Sequence, residues 1–223
     1  MSDYSKARHN MVESQIRPNA ITDPRILAAM MEVPREIFVP SALRGLAYMD
    51  EDVPLESMSG MDEERYLLAP LTFARLLQAA EIKPGALVLD IGCATGYSTT
   101  VIARLAEAVV GLEQDEMLAE AASKNLVSLQ ADNAAVVAGE LRRGYPDEGP
   151  YDAIILEGSV EEVPQALLTQ LKNGGSLAAV VVQGEMGRVV QYKNLNGDYT
   201  PVPLLETGAP PLPGFQRAPE FVF

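Results

Sequence analysis

The sequence predicts an α/β fold built on a doubly wound parallel sheet, and three observations point there. Short apolar runs alternate with amphipathic ones through the middle of the chain, the pattern of strands covered by helices on both faces. The stretch "VLDIGCATGYST" closes an apolar strand with Gly92, Ala94 and Gly96 and then turns helical. The chain has 223 residues, 48% of them hydrophobic, which suits one such domain with an appended segment and leaves two full domains cramped.

Taken in order, Ser5 to Ile16 has helical periodicity that Arg17-Pro18-Asn19 stops. Asp23, with Pro24 at the first helical position, opens a second helix through about Glu32. "VPREIFVP" sets prolines around an apolar centre and suits a short helical turn or an extended link. "LRGLAYMDEDVPLESMSGMDEERY" is acidic and poor in apolar residues, and reads either as a surface loop or as a cover over a site. After Pro70 the run "LTFARLLQAAEI" is an amphipathic helix ended by Lys83-Pro84-Gly85.

Strands are then expected at Leu87 to Ile91, Ala108 to Leu112, Ala134 to Val137, Asp152 to Leu156 and Ser176 to Val182. Helices are expected at Ser98 to Glu107, Glu116 to Leu129 and Val163 to Leu171, while Ala138 to Pro150 is too short and broken for one. Asn196-Gly197 between two β-rich runs signals a hairpin. The proline-rich tail "ETGAPPLPGFQRAPEFVF" is expected to wrap irregularly over the domain before a short last strand. The chain thus divides into residues 1–65, a helical extension with an acidic loop, and 66–223, a ligand-binding unit with a hairpin and tail.

Composition narrows the function. Seventeen basic against 31 acidic residues give a net charge of −14, a surface that repels phosphate backbones, so neither nucleic acid nor an anionic membrane is an expected partner. The single cysteine, Cys93, and the single histidine, His9, exclude an intrachain disulfide and two-cysteine metal motifs, and no metal is expected. The N-terminus "MSDYSKARHNMVESQ" has no apolar signal core, and no stretch of about 18 apolar residues occurs. A soluble cytoplasmic protein is the expectation.

The glycine turn is the candidate site. In a doubly wound sheet the first strand ends where strand order reverses, and small residues let the backbone approach a ligand closely. Cys93 inside the turn reads as a small apolar filler. Glu113 ends the next strand, where a carboxylate can accept hydrogen bonds from both hydroxyls of a ribose, or is simply an acid after a strand. A dinucleotide fingerprint asks for a third glycine at position 97, which is Tyr97, so the ligand tilts away from NAD. Gly139-Glu140 after the third strand could meet an adenine edge, and Glu157 at the end of the fourth should face the cleft. Both also read as solvated loop residues.

"VLDIGCATGYST", "VVGLEQD", "VVAGE", "YDAIILEGS" and "LKNGGSLAAVV", in that order, resemble the successive motifs of class I S-adenosylmethionine-dependent methyltransferases. "MVESQIRPNAITDPRILAAMMEVPREIFVP" followed by "AYMDEDVPL" narrows the resemblance to the protein-L-isoaspartate O-methyltransferase family. The resemblance implies a Rossmann-like seven-stranded sheet with an N-terminal helical extension, and S-adenosyl-L-methionine as cofactor. It also implies a methyl transfer to the isoaspartyl carboxylate of a damaged protein or peptide, which then cyclises to a succinimide. Gly92, Cys93, Ala94, Gly96, Glu113, Gln114, Glu140, Leu141 and Glu157 would line the cofactor.

The chain departs from the family where hydroxyl residues line the reacting carboxylate, in a Thr-Ile-Ser-Gln-Pro-like stretch. Here it reads Tyr66-Leu67-Leu68-Ala69-Pro70, with Leu68 at the serine position and Tyr66 at the threonine position. Leucine offers no hydrogen bond to a substrate oxygen. Ser57, Ser59 and Tyr66 are the candidate replacement hydroxyls, and Arg65 could offset the repulsion of an anionic substrate by the acidic loop. The alternatives are a methyltransferase with another acceptor, such as a small molecule, and a non-catalytic S-adenosylmethionine-binding protein.

Overall fold

The computed structural model describes residues 4–55, 58, 60, 64–184 and 186–216. Two helices open the chain, α1 (Tyr4–Asn10), which runs on as a π-turn over Met11–Ile16, and α2 (Pro24–Glu32). Asp23 caps α2 by accepting from the Arg25 N–H, and Pro24 sits at its first position, as the sequence predicts. The "VPREIFVP" stretch forms a 3-10 turn over Arg35–Ile37. Strands β1 (Val53–Pro54) and β2 (Tyr66–Leu67) pair antiparallel, so the acidic segment between them is anchored at both ends.

Helix α3 (Pro70–Ala80) leads into β3 (Leu87–Ile91), α4 (Tyr97–Ala103), β4 (Ala108–Glu113), α5 (Glu116–Ser128) and β5 (Ala134–Ala138). Then follow β6 (Tyr151–Val160), the short α6 (Gln165–Leu168), β7 (Leu171–Gln183), β8 (Met186–Leu195) and β9 (Asp198–Glu206). The seven-stranded sheet has the order β5-β4-β3-β6-β7-β8-β9, with β5 to β7 parallel and β8 and β9 antiparallel. The chain leaves β3 in one direction and returns on its other side at β6, which opens a crevice at the carboxyl ends of β3, β4 and β6.

The hairpin falls at Asn196-Gly197, both at positive φ, as a two-residue turn requires. Pro201 and Pro203 lie on the outermost strand β9, where a missing N–H costs least. One expectation fails. The helix expected at Val163 to Leu171 is only Gln165–Leu168, and the sequence that should have ended it is already strand β7. Pro164 starts this helix late, and Leu171 is claimed by its pairing with Tyr151.

One face of the sheet carries the N-terminal segment together with α2, α3 and α4. Met11, Ile16, Met30 and Phe38 share an apolar cluster with Phe73, Val88 and Ile155. The other face carries Leu141, Tyr151, Leu167 and the tail residues Leu212 and Phe215. The tail crosses β6 irregularly, through Ser159 N–H to the Pro210 carbonyl at 2.7 Å and Leu212 N–H to the Ser159 carbonyl at 2.8 Å. The short last strand expected beyond it lies outside the described residues. No described helix is long and apolar enough to cross a membrane.

Candidate functional site

The turn after β3 is built tightly. Gly92 (φ +81°), Ala94 (φ +49°) and Gly96 (φ +88°) all take left-handed backbone, which glycine adopts without strain. A Cβ on Gly96 would lie 3.0 Å from the Ala122 Cβ of α5 and 3.1 Å from its Cα, so here the glycine also permits close helix packing. Tyr97 begins α4 fully buried, edge-on to Phe38 at 5.4 Å between ring centroids and 5.6 Å from Phe73. The side chain that breaks the dinucleotide fingerprint thus joins the turn to the N-terminal segment. Cys93 is buried as a filler, and burial pushes its thiol pKa up, away from thiolate reactivity.

Asp90, inside β3, is fully buried and accepts at Oδ2 from Ser98 (2.7 Å) and Thr99 (2.6 Å) of α4. Burial pushes its pKa up to about 6 against the pull of those hydrogen bonds, and Oδ1 has no partner. Glu157, near the end of β6, is partly buried with Oε1 sealed and unpartnered. Its pKa is raised, first by burial and then by Asp90.

Glu113 sits at the carboxyl end of β4 with no exposed surface. Its Oε2 accepts from the Ala94 N–H at 2.8 Å, which joins it to the glycine turn, and Oε1 accepts from the N–H groups of Gln114 and Asp115. The remaining partner is Arg65. Its guanidinium, 3% exposed, donates to Oε1 at 2.7 Å and to Oε2 at 2.8 Å, and its Nη2 also reaches the Gly92 carbonyl at 3.1 Å. Leu212 lies beside it, its Cδ1 2.6 Å from where a Cβ on Gly92 would be. Arg65 and Leu212 therefore fill the space above the turn.

Gln114 contributes a backbone N–H to this cluster. Glu140 is exposed and lines, with Leu112, Gly139, Arg143 and Tyr145, a hollow of about 200 Å³ beside the end of β4, while Leu141 is buried beneath it. The Tyr66 hydroxyl donates to Glu64 at 3.0 Å on an exposed edge. Ser57 and Ser59 lie outside the described residues. Leu68 is buried, and its carbonyl accepts from Arg35 Nη2 at 2.5 Å.

Arg35 and Asp90 also belong to this buried polar set. Arg35 is wholly buried, donates through Nε to the Ala47 carbonyl, and stacks 4.8 Å from the Tyr97 ring centroid. Its Nη1 and the Tyr97 hydroxyl have no partner of regular hydrogen-bond geometry, although the two groups lie close enough to interact with each other. A charged residue inside each of the apolar runs "VPREIFVP" and "LVLDIG" was the available signal. Among the described residues no group of three or more His, Cys, Asp or Glu side chains could hold a metal.

Residues 6–206 match the family described as Protein-L-isoaspartate(D-aspartate) O-methyltransferase (PCMT). The chain belongs to this family of class I S-adenosylmethionine-dependent methyltransferases. It is 37% identical over 199 residues to the protein-L-isoaspartate O-methyltransferase of Methanoculleus marisnigri, covering 89% of this chain and 88% of the relative. It is 34% identical over 229 residues to that of Herpetosiphon aurantiacus, covering 99% and 97%. A solved protein-L-isoaspartate O-methyltransferase superimposes with a TM-score of 0.79 at 25% identity, over 95% of this chain and 66% of the other. A Plasmodium falciparum structure solved with S-adenosyl-L-homocysteine superimposes with a TM-score of 0.75 at 20% identity, over 95% and 99%, a likeness of fold.

Proposed function

We propose that this chain transfers a methyl group from S-adenosylmethionine to the side-chain carboxylate of an isoaspartyl residue in a damaged protein or peptide. The observation that carries the reading is Glu113, a buried carboxylate at the crevice, joined by one hydrogen bond to the glycine turn. The bidentate Arg65 is a stand-in. A guanidinium presents two parallel donors to Glu113 as the 2′- and 3′-hydroxyls of a ribose would, so the donor and acceptor set fits a nucleoside once Arg65 and Leu212 give way. Glu113 and the Gln114 backbone would hold the sugar. Gly92, Cys93, Ala94 and Gly96 would form the floor, Glu140 and Leu141 the adenine edge, and Glu157 the far wall. Residues 1–65 would then serve as a cover for the binding unit at 66–223.

The bound cofactor supplies an electrophilic methyl on a sulfonium. The protein's part is to exclude water and to align an acceptor that needs no general base, because an isoaspartyl carboxylate is ionised at neutral pH. With Leu68 in place of a hydroxyl residue, the unpartnered Nη1 of Arg35 and the Tyr97 hydroxyl are the buried donors available to orient that carboxylate. Tyr66, on an exposed edge, remains an acceptor-side candidate, as do Ser57 and Ser59, which lie outside the described residues.

The test is methyl incorporation from labelled S-adenosylmethionine into an isoaspartyl peptide, with the aspartyl peptide of the same sequence as control. Transfer to the isoaspartyl peptide alone is the expected result. The loss of the hydroxyl at Leu68 favours one second reading, the same transfer to a small-molecule acceptor. Activity on a metabolite pool but not on the peptide would select it. Cofactor uptake without turnover on either would leave a binding protein.

A further inference from the structure

We infer that Arg65 is an internal competitor for the nucleoside site and sets the cofactor affinity of this chain; the inference rests on the cofactor reading above. Glu113 accepts five hydrogen bonds, from Ala94, Gln114 and Asp115 N–H and from both Arg65 Nη atoms, and the guanidinium occupies the side of both oxygens that a ribose would take. Three of the five donors are backbone groups of the turn and of the β4 end, and remain when a ligand enters. Only the guanidinium can be exchanged. The same Nη2 also takes the Gly92 carbonyl, so one side chain covers both the carboxylate of β4 and the turn of β3.

Several features make this more than a chance ion pair. Arg65 and Glu113 are 3% and 0% exposed, so the pair is formed out of water, where breaking it is costly and geometry counts. Arg65 is fixed in the chain by its neighbours, since its carbonyl accepts from the Leu55 N–H at 2.8 Å and Tyr66–Leu67 pair with Val53–Pro54. Arg65 also directly precedes the stretch Tyr66–Pro70 that takes the place of the family's acceptor segment. With the backbone held at this point, it is the Arg65 side chain that must swing away from Glu113. Leu212, arriving from the tail, packs against Gly92 in the same space and adds an apolar barrier that a polar nucleoside must displace.

A second consequence concerns ligand choice. A ligand must match two parallel donors to displace a bidentate guanidinium, so a nucleoside with both ribose hydroxyls is favoured over its 2′-deoxy counterpart.

The test is calorimetric binding of S-adenosylhomocysteine to the wild-type chain and to Arg65→Met, with circular dichroism to establish that the variant is folded. Arg65→Met should bind at least ten-fold more tightly, and Leu212→Ala should tighten binding by a smaller factor. A purely structural role for Arg65 predicts equal or weaker binding by Arg65→Met, and that result overturns the inference. Limited trypsin digestion of the wild-type chain gives an independent reading should Arg65→Met fail to fold. Saturating S-adenosylhomocysteine should speed cleavage after Arg65 several-fold, because the side chain leaves its buried pair, whereas slowed or unchanged cleavage there overturns the inference. No uptake by either protein removes the cofactor reading and the inference with it; equal uptake by both removes the inference alone.

Discussion

Two glutamates flank the central strand β3, and their surroundings are opposite. Glu113, on β4, is completely buried and every lone pair of its carboxylate is used. Glu157, on β6, is less buried, yet its Oε1 is sealed without a partner, and burial and Asp90 raise its pKa. Burial therefore does not decide how well an acid's oxygens are satisfied; the supply of donors does. On the β4 side the turn delivers N–H groups and Arg65 delivers a charge. On the β6 side the nearby cation, Arg35, spends two donors on the carbonyls of Ala47 and Leu68. The first side is a carboxylate whose oxygens are all supplied with donors, and the second leaves a buried carboxylate oxygen without one.

The largest effect should come from breaking the finished side. Glu113→Ala strands the buried Arg65 guanidinium and should cost about 3–5 kcal/mol of stability, read as a lowered denaturant midpoint at unchanged slope. The double variant Arg65→Met with Glu113→Leu should recover most of that loss, since two matched apolar side chains leave no buried charge. Recovery of none of it would mean that Glu113 contributes through its backbone donors and not through the pair.

Asp90, between the two glutamates, should give the next effect. Its pKa in the fold is raised from 3.8 to about 6, so the folded state holds the proton more tightly than the unfolded chain does. The stabilisation from this group is thus complete below about pH 4 and is lost as pH rises through 6. At about 1.4 kcal/mol per unit the swing is of the order of 2–3 kcal/mol. Asp90→Asn should flatten the stability profile between pH 4 and 6, and an unchanged slope in urea unfolding across that window would refute the assignment.

The two glycines of the turn should separate by what lies above each. Alanine at either is strained by its positive φ, about 1–2 kcal/mol. At Gly96 the added methyl also meets the backbone of Ala122, which cannot move aside, whereas at Gly92 it meets the tip of Leu212, which can. Gly96→Ala should therefore lower the melting temperature more than Gly92→Ala. Equal losses would mean that the tail is as rigid there as α5.

Much of the fold around the candidate site was legible in the sequence because short-range rules govern it. Gly92, Ala94 and Gly96 need special backbone angles, Glu113 ends an apolar strand, and Asn196-Gly197 can only be a turn. The closure of the site was not legible, because it joins residues distant in sequence. Nothing in "DEERYLLAP" says that Arg65 turns inward to a strand end 48 residues away, and a proline-rich tail does not announce that Leu212 will cover Gly92. The shortened α6 has a similar cause. "VPQALLTQL" has helical periodicity, but Leu171 is taken by sheet pairing with Tyr151, a contact no local pattern encodes.

The smallest effect belongs to the opposite end of the strand that carries Glu157, and it sharpens the contrast by its sign. Asp152 is the second residue of β6, half-buried; burial alone would raise its pKa, but hydrogen bonds from Lys172 Nζ (2.7 Å) and the Leu87 N–H (2.8 Å) outweigh it and lower it. A lowered carboxylate pKa contributes stability above the unfolded value that is lost as pH falls through the folded one, the reverse of Asp90. Both members of the pair are more than a third exposed, so solvent screens them and Lys172→Met should cost less than about 1 kcal/mol at pH 7. That small loss should shrink further below pH 4 and with added salt, whereas the Glu113 loss should be insensitive to salt. Unfolding at 0.05 M and 0.5 M salt, as about ten-fold apart in ionic strength, compares the two directly; a Glu113 effect that salt erased would place Arg65 in solvent and not over the turn.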